Sequence, residues 1–476
     1  MVRATIGEMV EACGARLVCG DPTREVRGAS CDSRHVLQGG VFVALPGERA
    51  DGNDFAAGAL RSGAGCAVMT REPDAEVLKA ASELGAAVLA CEDGERFLAR
   101  LAAWWRARLD VVCVGVTGSS GKTTTRNMVA AVLAQTLRTH CNEANYNNLL
   151  GCSLTLLACP EDAQALVMEM GMDHPGEIAE LAAMARPQLG VITNVGVAHI
   201  GILGSRANIA AAKAELVEAL PPTSDADAVP SRAFLWGEDD FTAWIAAEKA
   251  APRGVRVVTY GGSPEDDARA TDVELDGQGR PSATFRLPGG ASFSAHLAIA
   301  GEHNVRNALA AACVGEALGV PAERIAAALE GVAPIRMHQD VISAPGGYTV
   351  IDDSYNANPD SMRAAVDVLC SLPARRRLAC LGDMGELGER EGLLHAVVGA
   401  YVAAKPVDEL VCVGPLSAET AEAARLMGMP PASVHEVPAA VDAVPVLRAA
   451  LRPGDVVLVM ASRSTGLDAT VAGVTA

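Results

Sequence analysis

The sequence has few aromatic residues, no excess of basic charge and no long apolar run. Phe, Trp and Tyr make up 3% of the 476 residues, and 39 Lys and Arg stand against 58 Asp and Glu, a net charge of −19. A chain this acidic is not expected to bind nucleic acid through a general basic field. No stretch reaches the roughly 18 to 20 apolar residues of a membrane span, and the first twenty residues lack a signal-peptide pattern. We therefore predict a soluble, unsecreted protein that does not bind nucleic acid and has no membrane span.

The cysteines form no recognisable metal or redox motif. There are 13, scattered from Cys13 to Cys412 without a Cys-x-x-Cys pair. Because the number is odd, a complete set of intrachain disulfides is excluded. Small, buried, reduced thiols are therefore expected, as in a cytoplasmic protein.

Three α/β units are expected from the length, at about 150 residues per domain. A small N-terminal α/β domain, residues 1–108, contains the buried strand Val41–Leu45 and closes with an amphipathic helix. The central domain, residues 109–334, alternates apolar strands with helices, which is typical of a parallel sheet. Residues 271–293 predict an antiparallel hairpin appended to that sheet. Strands and helices alternate again over residues 335–476, a C-terminal Rossmann-like α/β domain.

A glycine-rich segment predicts a phosphate-binding loop. Thr117-Gly118-Ser119-Ser120-Gly121-Lys122-Thr123-Thr124 directly follows the apolar run Val111–Val116 and precedes a predicted helix. The glycines let the backbone wrap a phosphate, Lys122 can reach the outer phosphates, and Thr123 can ligate Mg²⁺. The strict motif would have glycine at Val116, so this loop is a variant. An ordinary glycine-rich turn has no use for a Lys-Thr pair at this place.

Two further polar residues follow from the same topology, and a third lies on a predicted helix. Glu169 ends the apolar run Ala165–Met168, and His199 follows the strand predicted at residues 190–193, so both are expected at the sheet edge where α/β proteins bind ligands. A carboxylate there suits Mg²⁺. Lys213 lies on the helix predicted over residues 208–220, where spacing alone indicates a solvated lysine paired with a helix neighbour.

Several motifs in the same order resemble the Mur ligases, the ATP-dependent amide-forming enzymes that assemble the peptidoglycan stem peptide. The resemblance covers nearly the whole chain. It is carried by Thr117–Thr124, Glu169-Met170-Gly171, Thr193-Asn194-Val195-Gly196 with His199, Lys213, Gly301-Glu302-His303-Asn304 with Asn307, Arg336, and Asp352-Asp353-Ser354-Tyr355-Asn356-Ala357-Asn358-Pro359.

Within the family, the chain is most similar to the members that add D-alanyl-D-alanine to UDP-MurNAc-tripeptide. The segments that carry this likeness are Asp353–Pro359, Leu381–Gly388 and Asn145-Tyr146-Asn147-Asn148. The Asp-Asn-Pro-Arg sequence of members that add the third amino acid is absent. By the same resemblance, Asp32-Ser33-Arg34 belongs to the domain that holds the UDP end of the substrate.

The resemblance also implies roles for individual residues. Lys122, Glu169, His199, Lys213 and Asp353 would be catalytic, with Thr123, Glu169, His199 and Lys213 as metal ligands. The equivalent of Lys213 is carbamylated in several relatives, which would make it an anionic oxygen ligand for Mg²⁺. The ATP site would comprise Thr117–Thr124, Asn304, Asn307, Arg336 and Asp353. The substrate would contact Ser33, Arg34, Asn148, Asn356 and Asn358.

The implied reaction starts with transfer of the ATP γ-phosphoryl group to the tripeptide carboxylate, which gives an acyl phosphate. The amine of D-alanyl-D-alanine then attacks, phosphate leaves, and the pentapeptide forms. ATP and Mg²⁺ are the implied cofactors, and domain closure would align the substrates. A monomer is expected, because no heptad pattern or exposed apolar run indicates an interface.

Two departures from the family pattern bear on this interpretation. Met460-Ala461-Ser462-Arg463 stands where Lys-Gly-Ser-Arg is usual, and Ser153 stands where proline is usual. Alternatives are a Mur ligase that adds one amino acid at an earlier position, a folate-glutamylating relative, and a nucleotide-dependent interaction protein without ligase activity. The last would bind ATP without releasing phosphate for any acceptor pair.

Overall fold

The computed structural model describes residues 1–47, 50–143 and 145–476. In the N-terminal region, strands run in the order β2-β7-β6-β5-β4, and β1 pairs with β3. The predicted strand at Val41 and the closing helix are both present. The elements are β1 Arg3–Thr5, α1 Ile6–Cys13, β2 Arg16–Cys19, β3 Glu25–Arg27, β4 Ala29–Ser30, β5 Val41–Val43, α2 Ala56–Arg61, β6 Cys66–Met69, α3 Ala75–Leu84, β7 Ala87–Ala90 and α4 Gly94–Arg106.

The central region is built on one large mixed sheet with the strand order β16-β15-β14-β13-β12-β11-β8-β10-β9. Strands β8 to β14 pair in parallel, whereas β14, β15 and β16 pair antiparallel, which confirms the appended hairpin. The elements are β8 Val112–Thr117, α5 Lys122–Leu133, β9 Thr139–Cys141, α6 Leu149–Ala158, β10 Ala165–Glu169, α7 Glu177–Ala185, β11 Leu189–Ile192, α8 Ile200–Leu203, α9 Arg206–Ala219, β12 Arg232–Trp236, α10 Thr242–Trp244, β13 Arg256–Gly261, β14 Ala268–Leu275, β15 Pro281–Arg286, β16 Ser292–His296, α11 His303–Ala317 and α12 Ala322–Glu330.

The C-terminal region repeats the α/β pattern with strand order β17-β18-β22-β19-β20-β21. Only the edge strand β17 pairs antiparallel in this sheet, as far as the described residues show. The elements are β17 Asp340–Ser343, β18 Thr349–Asp353, α13 Pro359–Ser371, β19 Arg377–Gly382, α14 Glu391–Ala403, β20 Glu409–Val413, α15 Ser417–Leu426, β21 Val434–Val437, α16 Ala440–Ala450, β22 Val456–Met460 and α17 Asp468–Thr475.

The predicted domain limits fall in the connections between these regions. Position 108 lies between α4 and β8, and position 334 lies between α12 and β17. The limits themselves stay a prediction. Across the described ranges, none of the helices combines the length and apolar character needed to cross a bilayer.

Strand β8 is covered on both faces, as its apolar sequence predicts. Val114 and Val116 pack with Met128 and Val132 of α5 in one core cluster, whereas Cys113 belongs to the cluster on the opposite face. The strand is therefore held rigidly in the centre of the sheet. Because the strand is fixed, the start of the loop that follows it is fixed as well.

Arg106, at the end of α4, ties the N-terminal region to the central sheet. Its side chain is buried, and its guanidinium donates to the carbonyl oxygens of Ala185 at 2.6 Å, Leu109 at 3.2 Å and Val111 at 3.1 Å. A buried guanidinium is tolerated only when its donors are satisfied. Here backbone carbonyls of the central region satisfy one side chain of the N-terminal region.

We expect Arg106→Met to destabilise the protein by roughly 2–4 kcal/mol, because it leaves buried carbonyls without donors. Urea denaturation followed by the fluorescence of Trp104 and Trp105, which lie on the same helix, measures the loss. The matched control is Arg108→Met, because Arg108 is exposed and stacks on Trp104. Equal effects of the two substitutions would contradict a bridging role for Arg106.

Candidate active site

The loop after β8 has the backbone that a phosphate cradle requires. Gly118 and Gly121 have φ of 154° and 75°, conformations that side chains disfavour. A Cβ atom at Gly118 would overlap Thr193 Oγ1, and one at Gly121 would lie 2.8 Å from Asn307 Oδ1. Helix α5 begins at Lys122 immediately afterwards. Both glycines are therefore required by close packing as well as by conformation.

Asn194, two residues after the end of β11, holds this loop from the side through hydrogen bonds. Its Oδ1 accepts from the backbone amides of Ser119 at 3.2 Å and Ser120 at 3.1 Å, and its Nδ2 donates to Ser120 Oγ at 2.9 Å. Thr193 Oγ1 donates to the Ser120 carbonyl at 2.6 Å. The loop is therefore preorganised by the neighbouring strand.

Two lysine amines, one partly buried and one fully buried, lie beside the loop. Lys122 Nζ donates to the Gly118 carbonyl at 2.9 Å, and burial lowers the pKa of Lys122. Lys213 is 2% exposed, and its pKa is lowered well below the usual range by burial and then by the charge of Lys122. The prediction of a solvated Lys213 from helix spacing is therefore wrong. A bound polyanion would relieve the desolvation and repulsion of both amines.

Glu169 occupies the sheet edge predicted for it. It is 1% exposed and ends β10, where its Oε1 accepts from Asn147 Nδ2 at 2.9 Å. Its Oε2 accepts no hydrogen bond from the described residues and lies 3.8 Å from Arg126 Nη1. A buried carboxylate oxygen in this condition is suited to bind a cation.

His199 meets two carboxylates that come from different regions. Its Nδ1 lies 3.2 Å from Asp173 Oδ1 and 2.5 Å from Glu386 Oε2, and its backbone has a φ of 63°. Ligand atoms of these three residues lie within 4.8 Å of one another, a spacing that could hold a divalent cation. The contact with His199 lowers the pKa of Glu386. Glu386 belongs to the C-terminal region, so this cluster crosses the domain interface.

Asn304 and Asn307 lie on α11 behind the loop. Asn307 Nδ2 donates to Asn304 Oδ1 at 2.9 Å, and Asn304 Nδ2 donates to the Ala300 carbonyl at 2.7 Å. Both side chains are buried. They are locked in orientation next to Gly121.

Asp353 ends β18 in the C-terminal region and faces the loop from the other side. It is 7% exposed, and burial raises its pKa to about 7, although hydrogen bonds with Gln339 act in the opposite direction.

The register neighbour of Asp353 on β22 is the fully buried Met460. Ala461 packs opposite Gly382, where an added Cβ would lie 2.7 Å from the Ala461 Cβ. Met460 and Ala461, which stand where Lys and Gly are usual in the family, therefore make this position apolar instead of charged.

A cavity of about 960 Å³ joins these features between the central and C-terminal regions. The predicted residues on its wall are Ser119, Ser120, Gly121, Lys122, Thr123, Thr124, Glu169, His199, Asn304, Asn307, Asp353, Asn356 and Asn358. Several other residues on the cavity wall had no individual role predicted from the sequence: Asn147, Asp173, Gln339, Asp360 and Glu386. Of these, Glu386 and Asn147 lie within motifs quoted for the resemblance.

Other predicted residues lie away from this wall. Arg34 is exposed and pairs with Asp32, with Nη2 to Oδ2 at 2.8 Å. Asn148 caps α6 by accepting from the Gly151 amide at 2.9 Å, and Arg336 is exposed. Thr117, Gly118, Ser33 and Lys213 are likewise not on the wall. Their assigned functions stay predictions.

Comparison with known proteins gives the family. The model of the Mur ligase middle domain matches residues 116–315, that of the Mur ligase glutamate ligase domain matches residues 335–463, and that of the Mur ligase family catalytic domain matches residues 25–106. The chain belongs to the Mur ligase family.

Similar members are known by name and by structure. The UDP-N-acetylmuramoyl-tripeptide--D-alanyl-D-alanine ligase of Mycobacterium leprae is 36% identical over 98% of both chains, and that of Mycobacterium tuberculosis H37Rv is 38% identical over 98% of this chain and 97% of its own. MurF from Acinetobacter baumannii superposes with a TM-score of 0.87 at 31% identity, covering 100% and 99% of the two chains. MurF from Thermotoga maritima in complex with ADP gives 0.79 at 25% identity, covering 94% and 97%.

The raised pKa of Asp353 predicts a pH-dependent stability. Its carboxyl is protonated in the fold up to about pH 7, whereas in the unfolded chain it ionises near 3.8. Folding stability therefore falls as pH rises between these values. Asp353→Asn should remove this loss and make the variant more stable than the parent at pH 8 by roughly 1–4 kcal/mol, with a smaller difference at pH 4.

Thermal unfolding of the ligand-free proteins from pH 4 to 8 tests this expectation. Asp468→Asn is the control, because Asp468 is an exposed acid in the same region. A difference between Asp353→Asn and the parent that does not change with pH would contradict the prediction.

Proposed function

We propose that the protein ligates D-alanyl-D-alanine to UDP-MurNAc-tripeptide with hydrolysis of ATP, giving UDP-MurNAc-pentapeptide, ADP and phosphate. The observation that carries the proposal is the single cavity in which the phosphate loop, Glu169 and Asp353 meet. Full-length similarity to ligases named for this reaction selects the substrates.

The nucleotide is assigned to the loop side of the cavity. The amides at the start of α5 and Lys122 would hold the phosphates, since helix N-termini and a lysine together favour polyanions. Lys122 Nζ donates a hydrogen bond to the Gly118 carbonyl within this loop, which places the amine where the phosphates would bind. Asn307 is assigned to the adenine side, with Asn304 beside it in the ATP site, and Asp353 with Arg336 to the side supplied by the C-terminal region.

The residues at the sheet edge fit Mg²⁺, the ion usual for this ligase class. The Glu169 Oε2 that accepts no hydrogen bond from the described residues, the Thr123 hydroxyl and the His199 cluster supply oxygen and nitrogen donors. When bound, the ion would neutralise charge on the transferring phosphoryl group. As a ligand for Mg²⁺, Lys213 would act as a carbamate, because Mg²⁺ prefers oxygen ligands to an amine nitrogen. Its burial lowers its pKa and so favours the neutral amine that such a modification needs.

The chain's own residues then position the reaction. Lys122 would stabilise the γ-phosphate as it moves to the tripeptide carboxylate, forming the acyl phosphate. The amine of D-alanyl-D-alanine attacks that carbonyl carbon, the C–O bond to phosphate breaks, and the amine loses a proton. The walls supplied by two regions would exclude water, which would otherwise hydrolyse the acyl phosphate.

The remaining contacts of the substrate are also proposed from the resemblance. Ser33 and Arg34 would hold the UDP end, and Asn148, Asn356 and Asn358 the peptide end. We also propose a cytoplasmic monomer. The 13 cysteines of the protein are free thiols, as in reducing compartments, and the sequence shows no heptad pattern that would indicate a subunit interface.

The test is phosphate release from ATP and Mg²⁺ with UDP-MurNAc-tripeptide, comparing D-alanyl-D-alanine with free amino acids. We expect release only with tripeptide and dipeptide together, with one pentapeptide formed per phosphate. Release with a shorter UDP-linked peptide and a free amino acid would instead assign an earlier step. No release with any pair would refute ligase activity.

Lys122→Met should abolish phosphate release without loss of stability, because it removes a partly buried, desolvated cation whose attraction is needed only when phosphate is bound. Activity should fall by at least roughly a hundredfold, the usual scale for a lost charge contact to a transition state. Thermal unfolding should give a midpoint equal to or above that of the parent. Lys79→Met is the control, since Lys79 is exposed on α3. Retained activity in Lys122→Met would refute the assigned role.

A further inference from the structure

The segment Val195–Val197, directly after β11, connects three parts of the site. Each of its successive backbone amides donates to a side chain from a different element. In chain order the acceptors are Asp239 Oδ2 at 2.7 Å, Ser119 Oγ at 2.9 Å and Asp360 Oδ2 at 3.0 Å. Ser119 belongs to the phosphate loop and Asp360 to the C-terminal region. The segment therefore contacts both partners of the domain interface at once.

Asp360 is held in place from its own side of the interface. It lies in the first turn of α13, where the Asn358 side chain caps the helix and accepts from the Asp360 amide at 3.0 Å. Its Oδ1 lies 2.5 Å from Arg363 Nη2. Cap and ion pair fix the carboxylate, so that Oδ2 is presented to Val197.

The fit at Gly196 leaves no room for a side chain. An added Cβ would overlap Asp360 Oδ2 and lie 3.2 Å from Ser119 Cβ. The backbone there is clamped between the phosphate loop and α13. Any shift of α13 would release the amide of Val197 and the contact at Gly196 together.

We infer that Asp360 is a positioning residue that couples docking of the C-terminal region to the geometry of the phosphate loop. When α13 docks, its carboxylate binds the Val197 amide and presses Gly196 against Ser119. The loop is then set for phosphoryl transfer only when the C-terminal wall is in place. This inference rests on the proposed function, because phosphoryl transfer is the step that it controls.

Kinetics of Asp360→Ala and Asp360→Asn test the coupling in the full-length enzyme. Asp360→Ala should lower kcat by roughly tenfold, the scale of one hydrogen bond to a charged acceptor. Binding of a non-hydrolysable ATP analogue without the other substrates should change less than about twofold, because the loop itself is intact. Asp360→Asn keeps an acceptor and should recover part of kcat. Asp442→Asn, in the first turn of α16, is the control for removal of a helix-start acid.

A second pair of measurements separates coupling from simple destabilisation. Amide hydrogen exchange of residues 195–199, with the analogue and tripeptide bound, should be faster in Asp360→Ala than in the parent. Gly196→Ala should also lower kcat. Because its new methyl meets Asp360, the double variant Gly196→Ala/Asp360→Ala should lose less than the product of the two single losses.

The outcomes distinguish this inference from the proposed function. If the parent enzyme makes no pentapeptide, the proposed function fails. If the parent is active and Asp360→Ala matches its kcat, the coupling is refuted. It is also refuted if the two single effects multiply, or if Asp360→Ala weakens analogue binding as much as it lowers kcat.

Discussion

The site depends on the desolvation of two amines, Lys122 and Lys213, beside a loop that is braced by the residues following β11. Burial lowers the pKa of each, and the charge of Lys122 adds to the effect on Lys213. Desolvation of an amine is unfavourable in the free protein, and binding of a ligand of opposite charge offsets it. The cradle at Gly118, packed against Thr193, fixes where that charge must sit. The rest of the cavity is arranged around a polyanion at this place.

The cavity is completed by residues that lie more than a hundred positions away in the sequence. His199 touches Glu386, and the Gly201 amide donates to the Glu386 carbonyl at 2.9 Å. These contacts join the central and C-terminal regions at the wall of the cavity. An acyl phosphate must be kept from water, so joining the wall and the loop in one interface serves the chemistry as well as the fold.

The sequence allowed prediction of what local spacing determines. The loop around Lys122, the strand end at Glu169 and the appended hairpin follow from apolar periodicity and turn residues, and the structure confirms the strands, helix and hairpin. Glu386 and Asp360 carried no such signal, since their importance arises only when the C-terminal sheet docks. For Lys213, by contrast, helix spacing gave a prediction of a solvated side chain that is wrong. Helix spacing indicates which face a residue occupies, but not that the face packs into the interior.

Met460, where lysine is usual in the family, adjoins the carboxyl of Asp353, whose pKa is raised by burial. The two residues are register neighbours on parallel strands, so their side chains share a face of the sheet. A lysine at position 460 would stabilise the ionised carboxylate and lower its pKa, whereas a buried methionine offers no charge and leaves desolvation to dominate. In the absence of ligand the Asp353 carboxyl is therefore biased toward its neutral form. Stabilising the ionised carboxylate of Asp353 would require another positive charge in place of the usual lysine, either on a bound substrate or on Arg463 in the following turn.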